Sequence, residues 1–202
     1  MTVMHGPVTI ALLAAGLSTR FGGDKLDAML GGKPLGAWAL DTAISVQCGT
    51  PVLVTGTPSP RFAEAALAAE MVELAINPDP MAGLSSSVAI AARIAQQRRS
   101  STLLLMLADM PFVRIETLRA LIEQVEPGRP AAVLHADGRK GIPACFPADY
   151  FGALAALTGD RGASALLRSA QNVTIVETAT DELSDADTPE ELAILAKRLM
   201  SR

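Results

Sequence analysis

Short, continuous apolar runs alternate with segments of helical pattern along this chain. The apolar runs lie at 8–14, 51–55, 71–76 and 102–107. Continuous rather than alternating apolar positions are typical of strands that are buried on both faces of a parallel sheet. Helical spacing or helical propensity follows these runs at 34–44, 61–70, 85–97 and 115–125. The alternation predicts a mostly parallel sheet that is covered by helices on both faces.

The C-terminal part of the chain adds an expected hairpin. Two apolar runs, 131–135 and 142–146, flank Asp137-Gly138, a dipeptide typical of β-hairpin turns. Further elements are expected near 148–157, 163–169 and 173–176, followed by a capped last helix that starts at Pro189 and includes Leu199. We therefore predict one α/β domain over residues 1–202, built as three α/β/α layers around a Rossmann-like, mostly parallel sheet with a small antiparallel hairpin insertion.

Composition and charge narrow the class of protein. A chain of 202 residues fits one domain with a substantial core. A net charge of -4 with 19% charged residues argues against nucleic acid as a main partner, because phosphate backbones are bound by clustered Lys and Arg. The apolar runs fall short of the roughly 20 residues that cross a bilayer. With neither a membrane anchor nor a secretory leader in the pattern, we expect a cytoplasmic protein.

The loop after the first apolar run is the first candidate site. Residues 14–25 read Ala-Ala-Gly-Leu-Ser-Thr-Arg-Phe-Gly-Gly-Asp-Lys. Its three glycines allow the backbone to approach a ligand, and Arg20 and Lys25 supply positive charge for a polyphosphate. The spacing matches neither the P-loop nor the dinucleotide-binding motif. The alternative is an ordinary Gly-rich connection with two solvated cations.

Two aspartates are candidate metal ligands. Asp109 follows the run 102–107, at the carboxyl end of a predicted strand, where ligands bind in open sheets. Mg²⁺ commonly takes one or two protein carboxylates, although Asp before Met-Pro also suits a simple turn. Asp187 precedes a predicted capping box, in which Thr188 is the N-cap and Glu191 the third helical residue. A carboxylate there is favoured by the helix dipole whatever the protein does.

A serine-rich junction and an arginine loop complete the candidates. The segment Gly83-Leu84-Ser85-Ser86-Ser87-Val88 lies where the third helix should start. Serines at a helix start are usually caps, but the same groups could bind the edge of a base. The segment 159–163, Gly-Asp-Arg-Gly-Ala, suits either an anion or a turn.

Taken together, these motifs resemble the molybdenum cofactor nucleotidyltransferases, which have a MobA-like NTP transferase domain, and among them the cytidylyltransferases most. The matching segments are 13–22 with Lys25, 30–35, Asn77 with 83–86, 108–111, Gly141 with Pro143, 159–163 and 185–189. The match keeps its order along the whole chain.

The resemblance implies a reaction and a set of site residues. The reaction is transfer of CMP from CTP to a molybdenum-molybdopterin cofactor, with Mg²⁺ and release of pyrophosphate. Lys25, Asp109 and Arg20 are implied as catalytic, and Asp109 and Asp187 as metal ligands. The implied nucleotide-binding residues are Leu13, Ala14, Ala15, Gly16, Ser18, Arg20, Gly22, Lys25, Asn77, Leu84, Ser85 and Ser86. A transient contact with a molybdoenzyme or its chaperone is implied as well.

Several alternatives stay open in the sequence. Ala14-Ala15-Gly16 and the segment 83–86 are similar to the cytidylyl branch and favour CTP over GTP. Asp27 interrupts a run that is more apolar in the family, and Ile142 stands where many relatives have His, so the acceptor is less certain. A guanylyltransferase on the same cofactor, a sugar- or alditol-phosphate nucleotidyltransferase and a non-catalytic carrier are the alternatives. Asp185 could replace Asp187 as a ligand.

Overall fold

A computed structural model describes residues 6–16, 18, 20–159, 162–179 and 181–200. Within these residues, nine strands are found, and they are numbered in chain order. They are β1 (Val8–Leu13), β2 (Met29–Leu30), β3 (Lys33–Pro34), β4 (Val52–Thr55), β5 (Glu73–Ile76), β6 (Thr102–Leu107), β7 (Ala131–Leu134), β8 (Lys140–Pro147) and β9 (Thr174–Val176). Seven of them form one sheet in the order β5-β4-β1-β6-β8-β7-β9.

The sheet is parallel except at one strand. β8 runs antiparallel to both of its neighbours, β6 and β7, whereas the other pairs are parallel. The continuous apolar runs explain the central strands, because β1, β4 and most of β6 are buried on both faces. The prediction of a mostly parallel α/β sheet is confirmed.

Seven α-helices are found in the described part of the chain. They are α1 (Leu35–Ser45), α2 (Glu64–Ala68), α3 (Leu84–Gln97), α4 (Ile115–Gln124), α5 (Phe151–Ala155), α6 (Ala163–Ser169) and α7 (Pro189–Met200). One hydrophobic cluster joins one face of the sheet to α1 and α4, and a second joins the other face to α3, α5 and α6. None of the described helices combines the length and apolar character needed to cross a bilayer.

The register of the central strands determines which loops meet. Leu13 pairs with Leu107 at the carboxyl ends of β1 and β6, and the amide of Ala108 still donates to the carbonyl of Leu13 at 3.0 Å. The loop after β1 and the acidic tip after β6 therefore leave the sheet side by side. The expected ligand edge of an open α/β sheet lies at this point.

The predicted hairpin around Asp137-Gly138 forms, and its second strand, β8, lies in the main sheet between β6 and β7. A second small sheet, β2 with β3, was not predicted. Gly31 and Gly32 have φ angles of 60° and 84°, which suit a tight two-residue hairpin turn between these strands.

Candidate active site

The side chain of Lys25 is the centre of the candidate site. It starts a short 3-10 turn, Lys25–Asp27, at the end of the glycine-rich loop, and only 9% of its side chain is exposed. Nζ donates to Oδ2 of Asp109 at 2.7 Å and to Oδ1 of Asp187 at 3.0 Å. Burial alone would lower the pKa of Lys25, but the charges and hydrogen bonds of the two carboxylates outweigh it, so the pKa is raised.

Asp109 has one oxygen in use and one without a partner. Oδ2 accepts the bond from Lys25, while Oδ1 is buried and accepts no hydrogen bond from the residues that the structure describes. A buried carboxylate oxygen without a donor is unfavourable unless it binds water or an ion. This oxygen is therefore suited to ligate a cation.

Asp187 is positioned by the start of α7. Glu191 accepts hydrogen bonds from the amides of Thr188 and Asp187, at 2.9 and 2.7 Å, and its own amide donates to Oγ1 of Thr188 at 3.2 Å. These bonds confirm the predicted capping box. The second oxygen of Asp187 lies 2.5 Å from Nη2 of Arg20, whose side chain is 74% exposed.

Asp185 joins the other two carboxylates. Asp109, Asp185 and Asp187 each offer an oxygen, and these oxygens all lie within 4.8 Å of one another. Removal of its carboxyl from water and the charge of Asp109 raise the pKa of Asp185. Oxygen ligands at this spacing, together with the unpartnered oxygen of Asp109, fit a divalent cation such as Mg²⁺ or Mn²⁺. The geometry brings both Asp185 and Asp187 to the cluster.

A cavity of about 380 Å³ opens beside this cluster, at the carboxyl ends of β1 and β6. Ten of the residues expected at the site line it. They are Leu13, Ala14, Ala15, Gly16, Ser18, Arg20, Lys25, Leu84, Asp109 and Asp187. The cationic loop and the acidic tip thus share one cleft, as the sequence predicted.

A second cavity of about 480 Å³ is lined by part of the same loop. Its walls are the segment 14–16, the segment 23–27 and the residues 55–61 that follow β4. Ala14, Gly16, Lys25 and Pro80 line both cavities, so the two form neighbouring parts of one depression.

Four of the expected nucleotide-binding residues do not line either cavity: Gly22, Asn77, Ser85 and Ser86. Nδ2 of Asn77 donates to Oγ of Ser86 and of Ser87, at 2.7 and 2.9 Å, and its Oδ1 accepts from the amide of Asp79 at 3.0 Å. Ser85 is 1% exposed and donates to the carbonyl of Gly159 at 2.5 Å. The side chains of Asn77, Ser85 and Ser86 therefore stabilise the wall segment 79–87 through hydrogen bonds within the protein and do not line either cavity.

Gly83 and Ser87 of the candidate junction also line the first cavity. Four further wall residues carried no signal in the sequence that marked them as part of a site: Leu26, Pro80, Met81 and Leu107. Ser87 stood in the same serine run, but only the direction of α3 shows which serine faces the cavity. Met81, 77% exposed, forms an apolar part of the rim.

Comparison with known proteins places this geometry in a family. The MobA-like NTP transferase domain matches residues 10–178. Purine catabolism protein PucB of Bacillus subtilis is 31% identical over 208 residues, which cover 98% of this chain and 100% of PucB. A probable molybdenum cofactor guanylyltransferase of Bacillus licheniformis is 33% identical over 132 residues, 63% of this chain and 62% of that protein.

A solved structure is similar to this chain in both fold and sequence. The crystal structure of Rv0371C from Mycobacterium tuberculosis in complex with manganese superposes with a TM-score of 0.71 at 26% identity, covering 95% of this chain and 98% of that one. The match over residues 10–178 covers more than half of the chain, and the fold and the shared cleft are consistent with it. This chain therefore belongs to the MobA-like NTP transferase family and is a nucleotidyltransferase.

Proposed function

We propose that this protein transfers CMP from CTP to the terminal phosphate of a molybdenum-molybdopterin cofactor, with Mg²⁺ and with release of pyrophosphate. The observation that carries the nucleotidyl transfer is the contact of Lys25 with Asp109 and Asp187 at the edge of the first cavity. The acceptor is supported by the order of motifs along the chain and by the name of the guanylyltransferase relative.

Lys25 and Arg20 are the cations available to the triphosphate. Both line the first cavity, and in the free protein both are paired with Asp187. A bound triphosphate offers several oxygens to each cation, so it competes with the carboxylate for these ion pairs. The backbone of residues 14–16 forms the adjacent wall, where amide groups can approach phosphate oxygens closely.

Asp109, Asp185 and Asp187 would hold the metal ion. A divalent cation held there would supply positive charge that offsets the charge developing at the α-phosphate. Capping of α7 keeps Asp187 in place, and the β1–β6 pairing keeps Asp109 in place. These contacts provide a preorganised group of carboxylates and cations.

In this reaction the protein contributes mainly by positioning the reactants and by neutralising their charge. An oxygen of the acceptor phosphate attacks the α-phosphorus of the NTP, a new P–O bond forms, and the bond to the β-phosphate breaks. A phosphate monoester is already mostly dianionic near pH 7, because its second pKa is about 6, so the attacking oxygen needs no general base. Lys25 and Arg20 orient the phosphates and balance their charge, as in phosphoryl transfer generally.

The choice of CTP depends on the motif Ala14-Ala15-Gly16, which lines both cavities, and on Leu84, which lines the first. The relative named for guanylyl transfer makes GTP the second candidate donor. The two donors present different hydrogen-bonding edges, so only one should fit this wall well.

A donor and acceptor screen tests the proposal. The purified protein with Mg²⁺ is given CTP, GTP, ATP or UTP together with the molybdenum-loaded cofactor, and pyrophosphate is measured. We expect release with CTP, and none with any NTP when a sugar phosphate replaces the cofactor. Faster release with GTP would reassign the base. Release with a sugar phosphate but not with the cofactor would overturn the acceptor.

A further inference from the structure

Asp27 is an almost buried carboxylate whose two oxygens both bind the backbone of a distant segment. Its side chain is 8% exposed. Oδ2 accepts from the amide of Arg61 at 3.0 Å, and Oδ1 accepts from the amide of Phe62 at 2.6 Å. Nε of Arg61 lies 3.7 Å from Oδ2. Asp27 does not belong to the group of carboxylates that could hold a metal ion.

These bonds join two walls of the second cavity. Asp27 ends the short turn that begins with Lys25, and this turn lies at the end of the glycine-rich loop. Arg61 and Phe62 begin the helical segment that precedes α2. The ring of Phe62 packs so closely on Gly36 of α1 that a Cβ there would lie 2.6 Å from it. The far wall is thereby tied to the core.

The loop 56–60 lies between two fixed points. At one end β4 pairs with β1 and β5, and at the other end Asp27 holds the amides of Arg61 and Phe62. The whole loop lines the second cavity, as do residues 14–16. A loop that is fixed at both ends loses less conformational entropy when a ligand is bound against it.

We propose that Asp27 is a positioning residue for nucleotide binding, which fixes the loop 56–60 as one wall of the second cavity. This inference rests on the proposed nucleotidyl transfer, since it assigns the second cavity to part of the NTP. Asp27 itself lies outside the carboxylate cluster and has both oxygens engaged. Its removal should weaken NTP binding and leave the chemical step of the bound complex largely intact.

Lys25 should keep its place without the Asp27 side chain. Its turn is held by backbone bonds, from Lys25 to Gly23 at 2.8 Å and from Ala28 to Lys25 at 3.1 Å. Its ammonium group is held by Asp109 and Asp187. A variant of Asp27 therefore tests the role of the wall of the second cavity without displacing the catalytic cations.

The test compares Asp27→Ala and Asp27→Asn with the wild type. Asn keeps one acceptor oxygen, whereas its amide group faces a donor, so its effect should be intermediate. We expect Asp27→Ala to raise KM for the NTP that the wild type uses by about tenfold, with kcat within about threefold and KM for the acceptor unchanged. An unchanged KM, or a loss confined to kcat, would overturn the inference.

A matched control separates this effect from general destabilisation. Ser100 is buried and bonds to Thr9 at 2.7 Å near the start of β1, at the opposite end of the sheet. Ser100→Ala should lower the melting temperature and leave KM for the NTP unchanged. If Ser100→Ala raised KM as much as Asp27→Ala at equal loss of stability, the positioning role would be refuted.

Hydrogen exchange decides the role of Asp27 independently of turnover. We expect the amides of Gly56, Thr57, Ser59, Arg61 and Phe62 to exchange faster in Asp27→Ala than in the wild type, in the absence of any ligand. Equal exchange in both proteins would refute the fixation of the loop. If the wild type released no pyrophosphate with any acceptor, the proposed function would fall, while the exchange data would still decide this point.

Discussion

The ammonium group of Lys25 lies 2.7 Å from Oδ2 of Asp109, although the two residues are 84 positions apart. The same ammonium group also binds Asp187, so a single buried cation neutralises part of a cluster of three carboxylates. A metal ion that enters the cluster has to compete with this cation. Nucleotide binding would draw Lys25 toward the phosphates and free the carboxylates, so metal and nucleotide should bind cooperatively.

Replacement of Lys25 by Met tests this competition. Lys25→Met keeps the approximate length of the side chain and removes its charge. The nucleotide-free protein should then bind Mn²⁺ about tenfold more tightly, because the repulsion between a close unit charge and the metal ion corresponds to at least a tenfold change in affinity. Pyrophosphate release should fall by about a hundredfold or more. Free Mn²⁺ can be measured by electron paramagnetic resonance. Weaker Mn²⁺ binding by the variant would contradict the competition.

Asp109 should be required for turnover but not for folding. Asp109→Asn removes the charge and retains the shape, and Lys25 still has Asp187 as a partner. We expect pyrophosphate release at saturating Mg²⁺ to fall by about 10²- to 10³-fold. Circular dichroism and the melting temperature should stay close to the wild-type values. Turnover within threefold of the wild type would contradict a metal-binding or charge-balancing role.

Asp185 should contribute to metal binding as a third carboxylate. Its oxygen lies within 4.8 Å of those of Asp109 and Asp187, whereas the ammonium group of Lys25 is held by Asp109 and Asp187. Asp185→Asn should therefore weaken Mn²⁺ binding about tenfold without releasing Lys25, since loss of one ligand charge lowers affinity. Isothermal titration with Mn²⁺ measures the change. Asp41→Asn, on the exposed side of α1, is the control and should bind Mn²⁺ as the wild type does.

The central sheet and the meeting of Lys25 with Asp109 could be predicted from sequence for a physical reason. Residues 102–107 form one continuous apolar run, which fits a strand buried on both sides, and β6 has these bounds. Parallel strands place the residues that follow them at one edge, so a cationic loop and an acidic tip were expected to converge.

Other features depend on contacts that local patterns do not encode. The position of β8 beside β6 is set by pairing between segments that are distant in the sequence. Asp185 lies in a segment without regular secondary structure. No helical or strand periodicity in the sequence therefore predicts where its side chain lies. Asn77 is polar and follows a strand, as a ligand-binding residue does, yet it points into the wall.

The stability of that wall gives the last prediction. Asn77 is 2% exposed, and its amide binds Ser86, Ser87 and the backbone of Asp79. Asn77→Ala removes three hydrogen bonds and leaves the buried hydroxyl of Ser87 without this partner. The change should lower the free energy of unfolding by about 1–3 kcal/mol in a urea titration. If Asn77 acts only through the wall, KM for the NTP should rise no more than in a variant of equal stability loss, such as Ser100→Ala combined with Thr9→Ala. A much larger rise in KM at equal stability would instead show that Asn77 contacts the nucleotide, as the sequence motif predicted.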